Sequence, residues 1–171
     1  MRKIVLVLGI LLVIAMVLPA MAVPLEPKII QKVTGGGWYE AYDGIKWTKA
    51  FNAQMDSFGN VKGEWQAQSP GGPGTWHADV TYLATGTYAY GQMAGKTGAI
   101  IVGVVQSADD PNMVGDTECM LLVDNGQGKK AAPDQIFGAY KGDANFCWDL
   151  YDAGAPFYDF QGNIQITTPF I

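Results

Sequence analysis

The feature that most constrains this fold is an alternation of apolar and polar residues in two runs, residues 45–56 and 61–68. A period of two residues is that of a β-strand with one face in water, and the turn-rich segment 57–60 separates the runs. The two runs therefore predict a β-hairpin. Its apolar face, which Lys49 alone interrupts, holds Ile45, Trp47, Phe51, Ala53, Met55, Val61, Gly63, Trp65 and Ala67.

Strand patterns continue along the rest of the chain. A third run predicts an inward face of Trp76, Ala78, Val80, Tyr82 and Ala84. Further strands are predicted at residues 88–93, 99–105, 117–124, 135–140, 146–151 and 163–168. No window of ten or more residues shows helical periodicity with caps, and turn residues recur roughly every 8–12 residues, as in all-β domains. We expect an all-β fold, an antiparallel meander that forms a β-barrel or a two-layer β-sandwich, and this choice stays open.

The first 22 residues have the anatomy of a secretory signal peptide. Arg2 and Lys3 form a positive end, residues 4–18 are apolar, and Ala20 and Ala22 frame a small-residue cleavage site. The apolar run is shorter than the roughly 20 residues that a membrane-spanning helix needs. We therefore expect removal of residues 1–22, a tether or first strand at residues 23–33, and a single β domain at residues 34–171. The mature chain is expected to be secreted or at the cell surface, without an integral membrane segment.

The charge of the mature chain limits the classes of partner that it is expected to bind. Loss of Arg2 and Lys3 leaves nine lysines, no arginine and 16 acidic residues. Because arginine is the usual bidentate reader of phosphates and guanine edges, we expect no nucleic-acid partner.

The two cysteines, Cys119 and Cys147, are expected to form one disulfide in an oxidising compartment. In the chain-entropy model such a bridge stabilises the fold by about 3.5 kcal/mol.

Aromatic residues make up 12% of the chain and suggest a binding face. Exposed rings stack on sugars, and aromatic residues are enriched at protein interfaces. The simpler alternative is that these rings fill the ends of a small barrel or sandwich core. The candidates, which lie outside the alternating inward set, are Trp38, Tyr39, Tyr42, Tyr88, Tyr90 and Trp148.

Acidic residues suggest two further sites, each with a plainer explanation. Calcium is bound by several oxygen ligands, which could come from Asp109, Asp110, Asp116, Asp124 and Asp134. Solvated loop acids explain this set without an ion, and we expect no metal and no cofactor.

Glycan cleavage needs two carboxylates, which could come from Glu40, Glu64 and Glu118. Glu64 alternates with Lys62 and Gln66, as an ordinary exposed residue does.

The segment Lys32-Val33-Thr34-Gly35-Gly36-Gly37-Trp38 resembles the opening signature of a secreted bacterial and archaeal domain family, the VTGGGW or post-COAP type. The likeness continues at residues 51–53, 59–63, 123–126, 134–137 and 162–166, and so spans nearly the whole mature chain. The resemblance implies an exported β module, often attached to larger surface proteins, with no agreed activity and no catalytic residue. The chain departs from the pattern at Lys129 and Lys130, where we expect acidic or small residues, so no loop ligand is carried over.

These observations predict a secreted, non-catalytic β module that binds a protein or glycan partner or takes part in extracellular assembly. Such a module would have an exposed aromatic patch. Two alternatives stay open. A closed barrel that holds a small apolar ligand would contain an internal cavity. A carboxylate-dependent, glycan-acting enzyme would have two acids facing each other across a cleft, one of them with a raised pKa.

Overall fold

The computed structural model of the chain describes residues 26–70, 72, 74–128 and 131–168, without the side chains of residues 139 and 140; the predicted signal peptide and the Lys129–Lys130 pair lie outside these residues. Antiparallel strands close into a barrel whose spatial order is the chain order. They are β1 (Ile29–Glu40), β2 (Lys46–Asp56), β3 (Val61–Ser69), β4 (Gly74–Thr87), β5 (Thr97–Ala108), β6 (Thr117–Asp124), β7 (Asp134–Lys141) and β8 (Tyr158–Thr167). The expected all-β antiparallel meander is confirmed, and it is a barrel, not a sandwich.

The alternating hairpin of the sequence is the β2–β3 pair. Phe51 lies opposite Trp65, and both side chains are buried inside the barrel. The Asp56 carboxylate shapes the turn because it accepts hydrogen bonds from the backbone N–H groups of Phe58 and Asn60, at 2.8 and 3.0 Å. The predicted inward face of these strands is therefore confirmed, including Lys49, which is only 2% exposed.

The barrel closes where β1 pairs with β8, from Lys32 opposite Thr167 to Trp38 opposite Gln161. Of residues 23–33, predicted as a tether or first strand, residues 29–33 belong to β1, and residues 23–25 lie outside the described part of the chain. A closed barrel leaves no open sheet edge along this seam. The interior is packed with buried side chains from all strands, among them Val33, Phe51, Trp65, Trp76, Ile101, Met120, Leu122, Ile136, Phe160 and Ile164.

The prediction for the second half of β4 is wrong. A register shift between Val80 and Tyr82 opposite β5 interrupts the alternation. Beyond it Leu83 is the buried residue, at 3% exposure, whereas Tyr82 is 41% exposed. Ala84 then lies opposite Ile100 and lines the outer surface. A bulge of this kind adds one residue to a strand and turns the following side chains to the opposite face.

The strand predicted at residues 146–151 is also wrong, because this segment is part of helix α1 (Ala144–Asp152). The Asp143 carboxylate caps the helix by accepting a hydrogen bond of 3.0 Å from the Phe146 N–H. Cys147 and Tyr151, four residues apart on one helical face, are both buried against the barrel.

Helix α1 packs on the outer faces of β5 and β6 and builds a second core there, to which Phe137 of β7 also contributes. The predicted disulfide is present: Cys119 on β6 and Cys147 on α1 are bonded, with their Cα atoms 6.0 Å apart. The strand predicted at residues 88–93 is instead a loop with a 3₁₀ turn (Gly91–Met93) that packs against the same helix. This second cluster of buried residues comprises Tyr88, Met93, Ile100, Val102, Cys119, Leu121, Val123, Phe137, Cys147 and Tyr151.

Candidate functional site

The outer face of β8, β1, β2, β3 and the first half of β4 carries a sheet surface rich in amide and hydroxyl groups, here called the polar face. The strand registers align its side chains in rows that cross the strands. One row holds Gln161, Trp38, Thr48, Gln68 and Thr75. The next holds Asn163, Gly36, Ala50, Gln66 and His77. The third holds Gln165, Thr34, Asn52, Glu64 and Asp79.

The middle row forms a trough because its residues on β1 and β2, Gly36 and Ala50, are small. A Cβ atom built on Gly36 would approach nothing closer than a backbone oxygen at 3.9 Å, so the space above this glycine is open. A depression of about 260 Å³ lies beside it, with Asn52, Gln66 and His77 in its lining. The trough therefore runs across the strands, between two rows of longer polar side chains.

Trp38 stands next to Gly36 on the outward face of β1, and its side chain is 37% exposed. The Lys46 ammonium lies 3.9 Å from the centroid of the Trp38 ring, within the distance of a cation–π contact. This contact stabilises the indole at the border of the trough. Trp38 is thus the exposed aromatic residue of the polar face.

A separate aromatic groove of about 390 Å³ lies on the opposite flank of the barrel. Its floor consists of small residues of the β4–β5 hairpin, chiefly Ala84, Gly86 and Gly98. The Tyr88 ring covers Gly98 so closely that a Cβ atom there would lie 2.0 Å from the ring, so this position requires glycine. The rings that border the groove are Tyr88, Tyr90, Trp148 and Tyr151.

The structure brings together three of the six aromatic candidates. Tyr88, Tyr90 and Trp148 meet at the aromatic groove, although Tyr88 itself is buried at 5% exposure because it stacks on Tyr151 with ring centroids 5.2 Å apart. Tyr39 points into the barrel and stacks on Tyr158 at 5.3 Å. Tyr42 is 86% exposed in the β1–β2 turn, apart from both surfaces.

The barrel interior holds a buried pair of ionisable residues. Lys49 lies with its ammonium 4.8 Å from the centroid of the Trp76 ring and 5.5 Å from that of Trp47. Burial lowers the pKa of Lys49 to about 8, against the opposing attraction of Glu118. Burial also raises the pKa of Glu118, while Lys49 and the indole N–H of Trp76 favour its ionised form.

The other two glutamates considered for glycan cleavage lie elsewhere. Glu64 is exposed on the polar face, and Glu40 is exposed at the end of β1. The barrel wall separates Glu64 from Glu118, which is 6% exposed in the interior. These carboxylates therefore do not face one another across a cleft, which is the arrangement that glycoside hydrolysis needs.

The aspartates considered for calcium have separate structural roles. Asp109 accepts a hydrogen bond from the Thr75 N–H, Asp110 caps a 3₁₀ turn (Pro111–Met113), and Asp116 pairs with Lys141 at 2.7 Å. Asp124 and Asp134 each accept hydrogen bonds from backbone N–H groups of β8. Within the described ranges, no three His, Cys, Asp or Glu side chains are grouped as metal ligands would be.

The polar trough escaped prediction because it depends on strand register. Ala50, Asn52 and Gln66 are unremarkable in sequence, and Thr34 and Gly36 stand out only as part of the VTGGGW segment. Only the pairing of β1, β2 and β3 aligns these residues. The alternation places Asn52 and Gln66 on the wet face, which is the signal that the sequence contains.

In the part of the chain that the structure describes, none of the helices has the length and apolar character needed to cross a membrane. Comparison with protein-family models, with curated proteins and with solved structures found no match to this chain.

Proposed function

We propose that this chain is an exported, non-catalytic β-barrel module of the VTGGGW type that binds a linear, neutral polysaccharide in the trough of its polar face. The observation that most supports this is the row that crosses the strands at Gly36 and Ala50, between rows of amides and hydroxyls and beside the exposed ring of Trp38. The disulfide between Cys119 and Cys147 agrees with an oxidising, extracellular compartment.

The side chains that border the trough suit the chemistry of a sugar. Hydroxyl groups both donate and accept hydrogen bonds, and the exposed amides of Asn52, Gln66 and Gln68 do the same. The apolar C–H face of a sugar ring packs on an aromatic ring such as that of Trp38. The third row also carries the carboxylates of Glu64 and Asp79, which repel an anionic glycan, so a neutral glycan fits better.

The direction of the trough favours an extended polymer. Neighbouring strands lie about 4.8 Å apart, so a row across several strands offers side chains at regular intervals over a distance that several sugar units span. The row ends at Asn163 on β8 and at His77 on β4, both exposed. A row of this length accepts several units of an extended chain.

Binding without cleavage is favoured by the positions of the acids. Glu64 lies at the trough, but Glu118, whose pKa is raised by burial, lies on the inner side of the barrel wall. Hydrolysis requires two carboxylates on opposite sides of one glycosidic bond. The trough is therefore proposed as a recognition surface.

The test is affinity electrophoresis of the mature protein in gels that contain a soluble neutral polysaccharide, in turn a mixed-linkage β-glucan, a xylan and a galactomannan, with anionic alginate for comparison. We expect retardation by at least one neutral polymer and less by alginate. Trp38→Ala should weaken binding about fivefold to tenfold, which is what one stacked ring contributes. Gln66→Ala should weaken it as well.

The matched control is Tyr42→Ala, which removes an 86% exposed ring from the β1–β2 turn, outside the three rows of the polar face, and should leave binding unchanged. Failure of all three neutral polymers to retard the protein would refute the proposal. Equal effects of the Trp38 and Tyr42 substitutions would also refute the assignment to the trough.

A further inference from the structure

Two depressions adjoin on the flank of the barrel that α1 covers. The aromatic groove, of about 390 Å³, and a second depression of about 370 Å³ share Tyr90 and Tyr151 in their linings. The second depression is called the acidic depression here, because Asp152 lines it together with Gln92 and Gly91. Tyr90, which is 55% exposed, stands between the two as a common wall.

The two depressions differ in chemistry. The aromatic groove is lined by uncharged residues, with Trp148 and Tyr90 on its borders and small residues on its floor. The acidic depression contains an exposed carboxylate, that of Asp152. The Asp152 carboxylate beside the Tyr90 hydroxyl raises the pKa of Tyr90. The aromatic wall and the negative charge therefore lie together in one depression.

We propose that this tract binds an organic cation with an apolar body: the body lies in the aromatic groove, and the ammonium group lies beside Asp152 and against the Tyr90 ring. An ammonium gains from the negative face of an aromatic ring and from a carboxylate at the same time. The site is distinct from the polar trough, and its assignment does not depend on glycan binding.

The surroundings favour a cation over other ligands. Among the residues that the structure describes, no lysine lines either depression, so an anion would meet Asp152 without a positive partner. Asp152 is also the last residue of α1, and the carboxyl end of a helix carries partial negative charge. The mature chain, with 16 acidic residues against nine lysines, attracts cations over a longer distance.

The test uses benzyltrimethylammonium as the probe and isothermal titration calorimetry of the mature protein, with benzyl alcohol and benzoate as the neutral and anionic comparisons. We expect the ammonium to bind more tightly than either, with an affinity that falls as salt is raised. Asp152→Asn and Tyr90→Ala should each weaken binding about tenfold, whereas Tyr90→Phe, which keeps the ring, should retain most of it.

The matched control is Asp149→Asn, which makes the same change of charge at an exposed position on the same helix. It should leave the affinity for the ammonium within about twofold of the parent, because a charge on the exposed helix surface is screened. Equal binding of benzyl alcohol and the ammonium would overturn the proposal. Equal losses in the Asp152 and Asp149 variants would overturn it too, since overall charge would then explain the binding.

Discussion

The indole Nε1 of Trp76 donates a hydrogen bond of 2.9 Å to the Glu118 carboxylate inside the barrel. The same indole ring faces the Lys49 ammonium, whose nitrogen lies 4.8 Å from the ring centroid. Trp76 thus contacts both members of a buried pair of opposite charge. A pair of this kind costs desolvation free energy, and its contacts recover only part of that cost.

The depressed pKa of Lys49 predicts a rise in stability at alkaline pH. Its pKa is about 8 in the folded chain, against an ordinary value of 10.5, so the unfolded chain binds more protons between these values. The free energy of unfolding should therefore increase from pH 8 towards pH 10.5, by roughly 3 kcal/mol in total. Urea unfolding followed by tryptophan fluorescence at pH 7, 8, 9 and 10 measures this rise.

The control for this titration is a pair of lysine variants. Lys49→Met should remove the rise, whereas Lys62→Met, at an exposed position on β3, should keep it. The tyrosines with raised pKa values, Tyr88 and Tyr90, remove stability only above their ordinary value of 10.0, so the window from pH 8 to pH 10 belongs to Lys49. A flat profile in the parent protein would contradict the assignment.

Neighbouring glycines of the VTGGGW segment should respond in opposite ways. Gly35→Ala should destabilise the barrel by about 1–3 kcal/mol, because a Cβ atom there would lie 2.4 Å from the Phe51 ring and 2.8 Å from a backbone oxygen. Gly36→Val should leave stability equal or higher, since its outward side is open and valine suits a strand. The same valine should fill the trough and weaken polysaccharide binding. Thermal melts and affinity electrophoresis of both variants test this contrast, and a stable Gly35 variant would disprove it.

Removal of the disulfide should abolish one of the two proposed sites and leave the other intact. The Cys119→Ser/Cys147→Ser variant should lose about 3.5 kcal/mol of stability. It should also lose the ammonium site, because α1 supplies Trp148 and Asp152 and an isolated helix of nine residues is marginal in water. Polysaccharide binding should persist wherever the barrel stays folded, since the trough lies on the other flank. Loss of both activities in a folded variant would show that the surfaces are coupled.

Asp134 should prove important for closing the barrel. Its carboxylate accepts hydrogen bonds from the Ile164 N–H at 2.6 Å and from the Asn125 N–H at 2.9 Å. Asp134→Asn should leave one of these N–H groups without its acceptor, at a cost of about 1–3 kcal/mol. Asp159→Asn, an exposed change on β8, is the control and should cost little. Urea unfolding compares the two, and equal midpoints would argue against a closing role.

The sequence predicted most of the barrel wall because alternation reports directly on which side of a strand a residue faces. Phe51 and Trp65 are buried as expected, and the neighbours that alternate with them are exposed. The pattern misassigned Tyr82 because a bulge adds a residue without any local signal that alternation detects. Register, barrel closure and hence the trough depend on pairing between distant segments, which one sequence does not display.

Helix α1 was misread because it is short and apolar. Its nine residues include Phe146, Trp148 and Leu150 on alternate positions, which imitate a strand. The available signals were Asp143 as a cap and the spacing of Cys147 and Tyr151 by four residues. The aromatic groove depends on this helix, so the sequence named Tyr88, Tyr90 and Trp148 as candidates without indicating that they meet.

The pairing of Lys32 with Thr167 has a consequence for how the barrel connects to other polypeptide. The start of β1 and the end of β8 lie side by side, so the chain enters and leaves at one point on the rim. A host protein could therefore carry this barrel as an insertion in a surface loop. The two host residues that flank the insertion would stay close together, and both flanks of the barrel would remain exposed.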